Sequence, residues 1–291
     1  MFNALEFLRD YAVPYWTDGK NVADGFVNIN CPMCADSSNH GGFSPTGSYI
    51  CWRCGNHKTT EVLEELLSCD RNQAYALYRE YQSESFIERK LNEKPKKPFV
   101  MPTGKITRAH REYLRSRGFN AKRVIEQFQL GGTVFAGRKK LVIPIIYKGR
   151  VVSYQTRGLS AEDRYFGCPI DEAIIPYKEI LYNLDACKEP TVIVVEGVVD
   201  TWRMGDNCCC TFGTSVTKEQ KLLLADYGTV VVLFDPEEEA LRKAYDLAEE
   251  LAMMGVDAYV EDTYLQDCGV EDPGELTLSQ SRDYKAKWGL T

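Results

Sequence analysis

The stretch from Thr191 to Trp202 reads Thr-Val-Ile-Val-Val-Glu-Gly-Val-Val-Asp-Thr-Trp, and it decides the fold. Its β-branched apolar residues, Val192 to Val195, predict a short strand that is buried on both faces of a parallel sheet. Glu196 and Gly197 end this strand, and a helical pattern begins soon after them. The order strand, acid, glycine and helix predicts an α/β unit. It places a carboxylate at the carboxyl end of a strand, where open α/β sheets bind ligands.

A second junction of the same kind follows from Val230 to Glu237, which reads Val-Val-Val-Leu-Phe-Asp-Pro-Glu. Because the carboxyl ends of parallel strands meet at one edge of a sheet, we expect Glu196, Asp235 and Glu237 to lie close together. Asp200 lies four residues after Glu196, so it faces the same pocket if the helix begins promptly. Such a group of carboxylates predicts a site for Mg²⁺ or Mn²⁺.

Two cysteine pairs, Cys31-Pro-Met-Cys34 and Cys51-Trp-Arg-Cys54, are separated by 16 residues. A two-residue spacer lets both sulfurs of a pair face one ion. Two such pairs therefore predict a tetrahedral, structural Zn²⁺ site in a small zinc ribbon. Eleven cysteines in the chain fit this interpretation better than disulfides if the protein occupies a reducing cytoplasm.

His40 and His57 lie near the cysteine pairs, and we expect both at the surface because four thiolates complete the zinc shell. Trp52 and Arg53 lie inside the second pair, and Phe43 and Ile50 lie between the two pairs. Two interpretations of these residues stay open. In the first, the aromatic side chains stack on single-stranded bases and Arg53 contacts a phosphate. In the second, Phe43 and Ile50 simply pack the core of the ribbon.

The charge of the chain is distributed unevenly. The formal net charge is −7, yet residues 86–160 hold 18 Lys and Arg against 4 Asp and Glu, a local charge of +14. Such a block predicts a phosphate-binding surface, although a solvated basic face without a ligand is the alternative. No apolar run approaches the roughly 20 residues that a bilayer span needs, and acids stand where a signal peptide has bases. We therefore expect a cytoplasmic protein without a membrane partner.

The pattern of the chain predicts five segments. They are a zinc ribbon domain over residues 1–90, a Pro- and Lys-rich linker over 91–104, a basic subdomain over 105–187, an α/β subdomain over 188–265 and a C-terminal tail over 266–291. Within the basic subdomain, Leu141 to Tyr147 and Val151 to Gln155 predict two strands, and Pro144 predicts an edge or a bulge in the first. The basic side chains around this hairpin suit triphosphate or template phosphates. They are Arg138, Lys139, Lys140, Arg150 and Arg157.

The ordered set of motifs resembles the DnaG-type primases in a compact phage or mobile-element form. After the zinc ribbon, Arg111 to Gly118 resembles the entry helix of that family's polymerase core, and Val142 to Arg157 resembles its basic hairpin. The next two signatures match Arg164 to Pro169 and Tyr177 to Tyr182. The later motifs form a Toprim pattern, with Glu196-Gly197 and Asp200, then Gly213-Thr214-Ser215, then Asp235-x-Glu237.

The resemblance implies a zinc ribbon joined to a primase core with a Toprim (Rossmann-like) α/β subdomain. It implies metal-dependent joining of ribonucleoside triphosphates into RNA primers on a single-stranded DNA template, with a replicative helicase acting in trans. The catalytic residues implied are Glu196, Asp235 and Glu237, and the ligands of magnesium or manganese are these three with Asp200 and Asp272. The residues implied to bind nucleotide or nucleic acid are Arg138, Lys140, Arg157, Lys178, Trp52 and Arg53.

The chain departs from the family pattern at several positions. Cys34 stands where the family commonly has histidine, and Asp235-Pro-Glu-Glu-Glu replaces Asp-x-Asp, which leaves Glu239 as a rival to Glu237. The late Asp-Pro-Asp motif reads Asp272-Pro-Gly274 and has lost one acid. Little chain follows the α/β unit, so we expect no C-terminal helicase-binding domain.

Two alternative functions combine the same elements differently. A RecR-like recombination mediator also pairs four zinc-binding cysteines with a Toprim unit, and a Toprim nuclease uses the same acids.

Overall fold

The computed structural model describes residues 2–45, 47–81, 90–91, 95–135, 137–160 and 165–290. The chain forms two compact units, Met1–Arg89 and Lys90–Thr291. Arg164, which belongs to one of the predicted signatures, lies outside the described residues, as do parts of the predicted zinc domain and linker. Within the described ranges, no helix has the length and apolar composition that a bilayer crossing requires.

The described residues of the first unit form three helices and a four-stranded antiparallel sheet. The helices are α1 (Ala4–Asp10), α2 (Thr59–Leu67) and α3 (Arg71–Glu80), and the strands, in sheet order, are β1 (Val27–Cys31), β2 (Asp36–Phe43), β3 (Tyr49–Cys51) and β4 (Gly55–His57). Phe7, Phe43 and Tyr49 are among the largest fully buried side chains, so aromatic rings fill this small core. The cysteine pairs lie at the ends of β1 and β3, in the turns that lead to β2 and β4.

Between residues 95 and 167, the described part of the second unit contains two short helices and a second antiparallel sheet. Its elements are α4 (Arg108–Ser116), α5 (Ala121–Gln127), β5 (Gly131–Phe135), β6 (Arg138–Tyr147), β7 (Arg150–Gly158) and β8 (Tyr165–Gly167), with the strands in sequence order. Strand β6 as a whole is not an edge strand, because residues 138–142 pair with β5 as well as with β7, but Pro144 lies beyond the β5 ladder and pairs with β7 alone. The predicted bulge is present close by, since the β6–β7 register shifts between Ile145 and Ile146.

The α/β part of the second unit contains a four-stranded parallel sheet in the order β10-β9-β11-β12. The strands are β9 (Thr191–Val195), β10 (Cys208–Cys210), β11 (Thr229–Val232) and β12 (Asp257–Val260), and the helices between them are α6 (Val198–Met204), α7 (Lys218–Leu224) and α8 (Glu238–Met253). Val192 to Val195 are fully buried, as the apolar run predicts. The predicted mixed α/β fold is confirmed. Because β10 and β11 lie on opposite sides of β9, the carboxyl end of β9 is a topological switch point.

Residues 266–291, for which the sequence predicts only a tail, contain folded elements that pack on the α/β unit. Helix α9 (Tyr264–Cys268) leads into a 3₁₀ turn (Pro273–Glu275) and helix α10 (Leu278–Lys287). Tyr284 of α10 is fully buried, and Ser281 Oγ donates a hydrogen bond to the Arg203 carbonyl of α6, with the two oxygens 3.1 Å apart. This segment therefore forms one wall of the site described next.

Candidate active site and zinc centre

A cavity of about 350 Å³ lies at the carboxyl edge of the parallel sheet. Four of the predicted acids line it, namely Glu196, Asp200, Asp235 and Asp272, and two guanidinium groups, those of Arg117 and Arg157, line it as well. The structure thus gathers carboxylates from the end of β9, the first turn of α6, the residue after Phe234 and the loop before the 3₁₀ turn.

Glu196 and Asp235 are joined across the ends of neighbouring strands. Glu196 Oε1 accepts a hydrogen bond from the backbone N–H of Asp235, with 3.0 Å between oxygen and nitrogen. Burial and, to a smaller extent, the charge of Glu237 raise the pKa of Glu196. Burial, followed by the charge of Glu196, raises the pKa of Asp235 to about 7. Asp235 Oδ1 is buried and, within the described residues, has no hydrogen-bond partner.

Asp200 and Asp272 form the other side of the acidic group. Asp200 Oδ2 accepts the N–H of Gly197 at 2.9 Å and so closes the first turn of α6. Its carboxylate is buried, and burial together with the charge of Asp272 raises its pKa well above the ordinary value. Asp272 Oδ1 accepts the N–H of Glu275 at 3.1 Å, and Asp272 Oδ2 lies 3.9 Å from Arg117 Nη2. Burial also raises the pKa of Asp272.

This group of acids fits a divalent cation. Neighbouring carboxylates that repel one another, and one buried oxygen without a donor, are the features that a cation stabilises. The carboxylates are more widely spaced than the cysteine thiols. Among the described residues, only the cysteine group brings three or more candidate ligand atoms within 4.8 Å of one another. The wider spacing suits Mg²⁺, which keeps several of its waters and takes only one or two carboxylates directly.

Glu237 and Glu239 lie outside the lining of the cavity. Glu237 is exposed at the residue before α8, although its charge raises the pKa of both Glu196 and Asp235. Glu239 Oε1 lies 2.8 Å from Lys243 Nζ, and its side chain is 72% exposed. The structure therefore brings Glu237 to the neighbourhood of the acids but not into the cavity, and it pairs Glu239 with a lysine.

Arg157 is held in the cavity by aromatic side chains. Its Nε donates to Tyr113 Oη at 2.6 Å, and its guanidinium lies 4.5 Å from the centre of the Tyr165 ring. Arg117, Gln155 and Tyr165 also line the cavity, and sequence reasoning did not select them. A signal existed for Gln155, because residues two apart on a strand share a face and Arg157 was already a candidate. For Arg117 and Tyr165 the signal was only their membership of motifs.

The other predicted phosphate-binding residues of the second unit do not line the cavity. Arg157 pairs with Leu141 in the sheet, so the adjacent Lys140 points to the opposite face, where its Nζ lies 4.1 Å from the centre of the Phe166 ring. Lys178 Nζ donates to the carbonyls of Thr211, Phe212 and Ser215 at 2.9–3.2 Å, and burial lowers its pKa. Lys178 therefore anchors the loop after β10. Arg138 is exposed at the start of β6.

The four cysteines of the first unit form a compact group. Their sulfurs all lie within 4.8 Å of one another, with Cys31 Sγ 3.7 Å from Cys54 Sγ and Cys34 Sγ 3.9 Å from Cys51 Sγ. None of the four is in a disulfide. Zinc–sulfur bonds of 2.3 Å in a tetrahedron place the sulfurs about 3.8 Å apart, so the group fits zinc.

The neighbours of the cysteine group differ from expectation in one respect. His57 Nε2 lies 3.0 Å from Cys54 Sγ, so His57 contacts a predicted ligand instead of lying free at the surface. Arg53 Nε lies 3.1 Å from the buried Asp36 carboxylate, whereas Trp52 is 67% exposed. Phe43 is buried, which supports the packing interpretation for that ring and leaves Trp52 as the accessible aromatic side chain.

Comparison with known proteins identifies relatives in sequence. No family model matches the chain. A DNA primase of Clostridium acetobutylicum is 27% identical over 217 residues, which cover 66% of this chain and 36% of that protein. A DNA primase of Geobacillus stearothermophilus is 26% identical over 129 residues, which cover 40% and 21%. The chain resembles the DnaG-type primases. The predicted resemblance is thus confirmed, and the RecR-like and nuclease alternatives are not favoured, although the chain spans only about a third and a fifth of these primases.

Solved primase structures overlap with the chain at low similarity. The zinc-binding and RNA polymerase domains of the Aquifex aeolicus primase give a TM-score of 0.47 at 18% identity, covering 91% of this chain and 80% of that one. The primase fragment of the bacteriophage T7 primase-helicase protein gives 0.44 at 14% identity, covering 83% and 94%. Because both TM-scores lie below 0.5, the similarity to primases rests on the sequence relatives.

Proposed function

We propose that this chain is a DNA primase that joins ribonucleoside triphosphates on a single-stranded DNA template. The observation that carries the proposal is the cavity in which Glu196, Asp200, Asp235 and Asp272 face Arg117 and Arg157. Carboxylates for divalent cations beside guanidinium groups for phosphates are the two components that nucleotidyl transfer requires. The sequence similarity to two DNA primases supports the same reaction. We assign the parallel α/β part of the chain to the Toprim fold.

The acids have separate tasks in this proposal. Bound Mg²⁺ or Mn²⁺ would activate the attacking 3′-hydroxyl and stabilise the leaving pyrophosphate. Glu196 and Asp235 are our principal cation ligands, because the Asp235 N–H fixes one Glu196 oxygen and because the buried Asp235 Oδ1 has no hydrogen-bond donor among the described residues. Asp200 and Asp272 hold the opposite side, and Glu237 adds negative charge from outside the cavity.

The cationic side chains of the site bind and orient the substrate phosphates. Arg157 presents a guanidinium whose Nε is already bonded to Tyr113, so its remaining N–H groups are available for phosphate oxygens. Arg117 lies on the Asp272 side of the cavity, where a phosphate would draw it away from that carboxylate. Lys178 maintains the loop that carries Gly213. Arg138, which is exposed at the start of β6, is proposed to contact the template backbone, whereas Lys140 is only 7% exposed and is assigned no phosphate contact.

The zinc ribbon is proposed to bind Zn²⁺ through Cys31, Cys34, Cys51 and Cys54 and to help select the start site on the template. Trp52 is exposed and suited to stacking on a base, and Arg53 lies beside it, paired with Asp36. We include a replicative helicase acting in trans among the partners. The proposed reaction and the group of free thiols both suit the cytoplasm of a bacterium or a phage-infected host.

The test compares two glutamates. Glu196→Gln should reduce primer synthesis on random single-stranded templates by at least about 100-fold, since it replaces a proposed cation ligand. Glu239→Gln is the matched control, because Glu239 is exposed and bonded to Lys243, and it should keep primer yield near the wild-type value. Wild-type yield from Glu196→Gln would exclude the proposed site. Cleavage of labelled DNA with Mg²⁺ and no nucleotides, without any primer synthesis, would instead indicate a nuclease.

A further inference from the structure

Arg203 has a buried guanidinium group that, within the described part of the chain, bonds to main-chain carbonyls and to no carboxylate. The residue is 8% exposed and lies in the last turn of α6, three residues after Asp200. Its hydrogen bonds go to main-chain carbonyls. Nε donates to Gly274 O at 3.0 Å, and Nη2 donates to Arg117 O at 3.3 Å and Gly118 O at 3.4 Å. Phe119 covers one face of the group, with its ring centre 4.4 Å from the guanidinium carbon. Burying a charge costs free energy unless hydrogen bonds compensate it, so the bonds to these carbonyls are needed.

These three contacts join the segments that carry one half of the acidic cavity. Helix α6 carries Asp200, the end of α4 carries Arg117, and the 3₁₀ turn that contains Gly274 begins after Asp272. Asp200, Arg117 and Asp272 all line the cavity. The Arg203 side chain thus fixes the backbone beside the Asp200 and Asp272 carboxylates and the Arg117 guanidinium group in the cavity.

Gly274 lies close to the Asp200 and Asp272 carboxylates, and little space remains for a side chain at this position. A β-carbon at this position would lie 2.9 Å from Asp272 Oδ1 and 3.0 Å from Asp200 Oδ1. Both distances are shorter than ordinary van der Waals contacts, so a side chain here would force at least one carboxylate to move. The steric constraint accounts for the glycine in Asp272-Pro-Gly274, where the resemblance to primases implies an acid.

We propose that Arg203 and Gly274 are positioning residues that set the gap between the Asp200 and Asp272 carboxylates for a divalent cation. This inference rests on the proposed function of the cavity. Arg203 pulls the Gly274 carbonyl toward α6 and α4, and the missing side chain of Gly274 lets the two carboxylates approach. Neither residue touches the reacting atoms. Their effect is on the affinity of this side of the cavity for the cation.

The experiment measures Mn²⁺ binding to the zinc-loaded full chain by electron paramagnetic resonance of the free ion, beside thermal unfolding. Arg203→Lys keeps the positive charge but can reach fewer of the three carbonyls, and Gly274→Ala inserts the β-carbon. Each should weaken Mn²⁺ binding by about 10-fold, the lower end of the loss that residues supporting metal ligands cause. The matched controls are Arg108→Lys, at an exposed arginine, and Gly131→Ala, whose β-carbon meets Val142 at an ordinary 3.5 Å. Both should bind Mn²⁺ like the wild type.

A merely structural role would lower the unfolding temperature of the variants and leave the Mn²⁺ affinity of the folded protein unchanged, and that result overturns the inference. If Arg203→Lys does not fold, Mn²⁺ binding by Gly274→Ala tests the inference. Primer synthesis by the wild type is assayed in parallel. Wild-type chain that makes primers while both variants bind Mn²⁺ normally defeats only the positioning roles. Wild-type chain that binds Mn²⁺ and makes no primers defeats only the proposed function.

Discussion

His110 is a buried imidazole that holds together two elements beside the basic sheet. Its Nδ1 accepts the N–H of Thr107 at 3.0 Å, so its Nε2–H donates to the Lys140 carbonyl at 3.0 Å, and the neutral ring satisfies both contacts. Burial is the main cause that lowers the pKa of His110, and the charges of Lys139 and Arg111 lower it further. The unfolded chain therefore binds a proton at this histidine more readily than the folded chain does.

The pH dependence of stability follows from this difference. The contribution of His110 is fully present above the unfolded pKa of about 6.5, and it is lost as the pH falls from there through the lower folded pKa. We expect His110→Gln to lower the free energy of unfolding by about 1 kcal/mol at pH 7.5. We also expect the variant to lose less stability than the wild type between pH 7.5 and pH 5.5. Urea unfolding at both pH values measures this, and equal losses in the two proteins would contradict the assignment.

Single residues at the site differ in how far the sequence could reveal them. Glu196 and Asp235 could be found because each ends an apolar run, and a strand end dictates which edge of the sheet the side chain occupies. Arg203 could not be found, because its role depends on carbonyls that are more than 70 residues away in either direction along the chain. Lys178 was expected to face phosphates, yet its ammonium group is bonded to carbonyls of the neighbouring loop.

Among the elements, the β1–β4 sheet of the first unit depends on the cysteine group at its turns. Cys51→Ser should lose the bound zinc, and with it metal-binding free energy that reaches about 10 kcal/mol in small zinc modules. Hydrogen exchange followed region by region should then accelerate in β1–β4 and stay unchanged in β9–β12. Cys268→Ser, at a partly buried cysteine outside the group, is the control and should retain zinc. Retention of one full zinc equivalent by Cys51→Ser would refute the four-thiolate site.

Local sequence signals such as N-cap residues indicate where some helices begin, whereas other helix features depend on tertiary contacts. Asn120 and Thr217, residue types that favour the N-cap position, cap α5 and α7, since each side chain accepts a backbone N–H from the first turn. Helix α2 begins at Thr59, whose hydroxyl donates to the Gly47 carbonyl at 2.8 Å, a contact that the local sequence does not reveal. Helix α10 has only weak amphipathic patterning in the sequence, so its burial could not be inferred locally.

At the scale of the whole molecule, the basic block of residues 86–160 is proposed to bind the template. If it does, the logarithm of the single-stranded DNA binding constant should fall linearly with the logarithm of salt concentration, with a slope of about −0.7 for each phosphate contacted. Lys139→Gln should reduce the steepness by about 0.7, and Lys218→Gln, at an exposed lysine outside the block, should leave it unchanged. Fluorescence anisotropy from 50 to 300 mM salt measures the slope, and a value near zero would exclude the electrostatic surface.

The sequence predicted some features of the large-scale organisation and not others. It predicted the mixed α/β fold and the zinc ribbon, because thiol spacing and buried β-branched runs are local signals. The finer division of residues 91–291 into linker, basic subdomain, α/β subdomain and tail stays a prediction. The contribution of the C-terminal segment to the cavity could not be foreseen, since Asp272 reaches the other acids only through long-range packing of residues such as Tyr284.

The bare α-carbon of Gly274 has a consequence for protein engineering. A designer who compared this chain with typical primases would regard the glycine as a defect and restore the consensus aspartate. The crowding around that carbon implies the opposite result, because a third carboxylate would have to displace one of the two already beside it. Restoring an acid at this position is therefore expected to impair the protein, because the hydrogen bond from Arg203 to the Gly274 carbonyl holds the loop where the added side chain has no room.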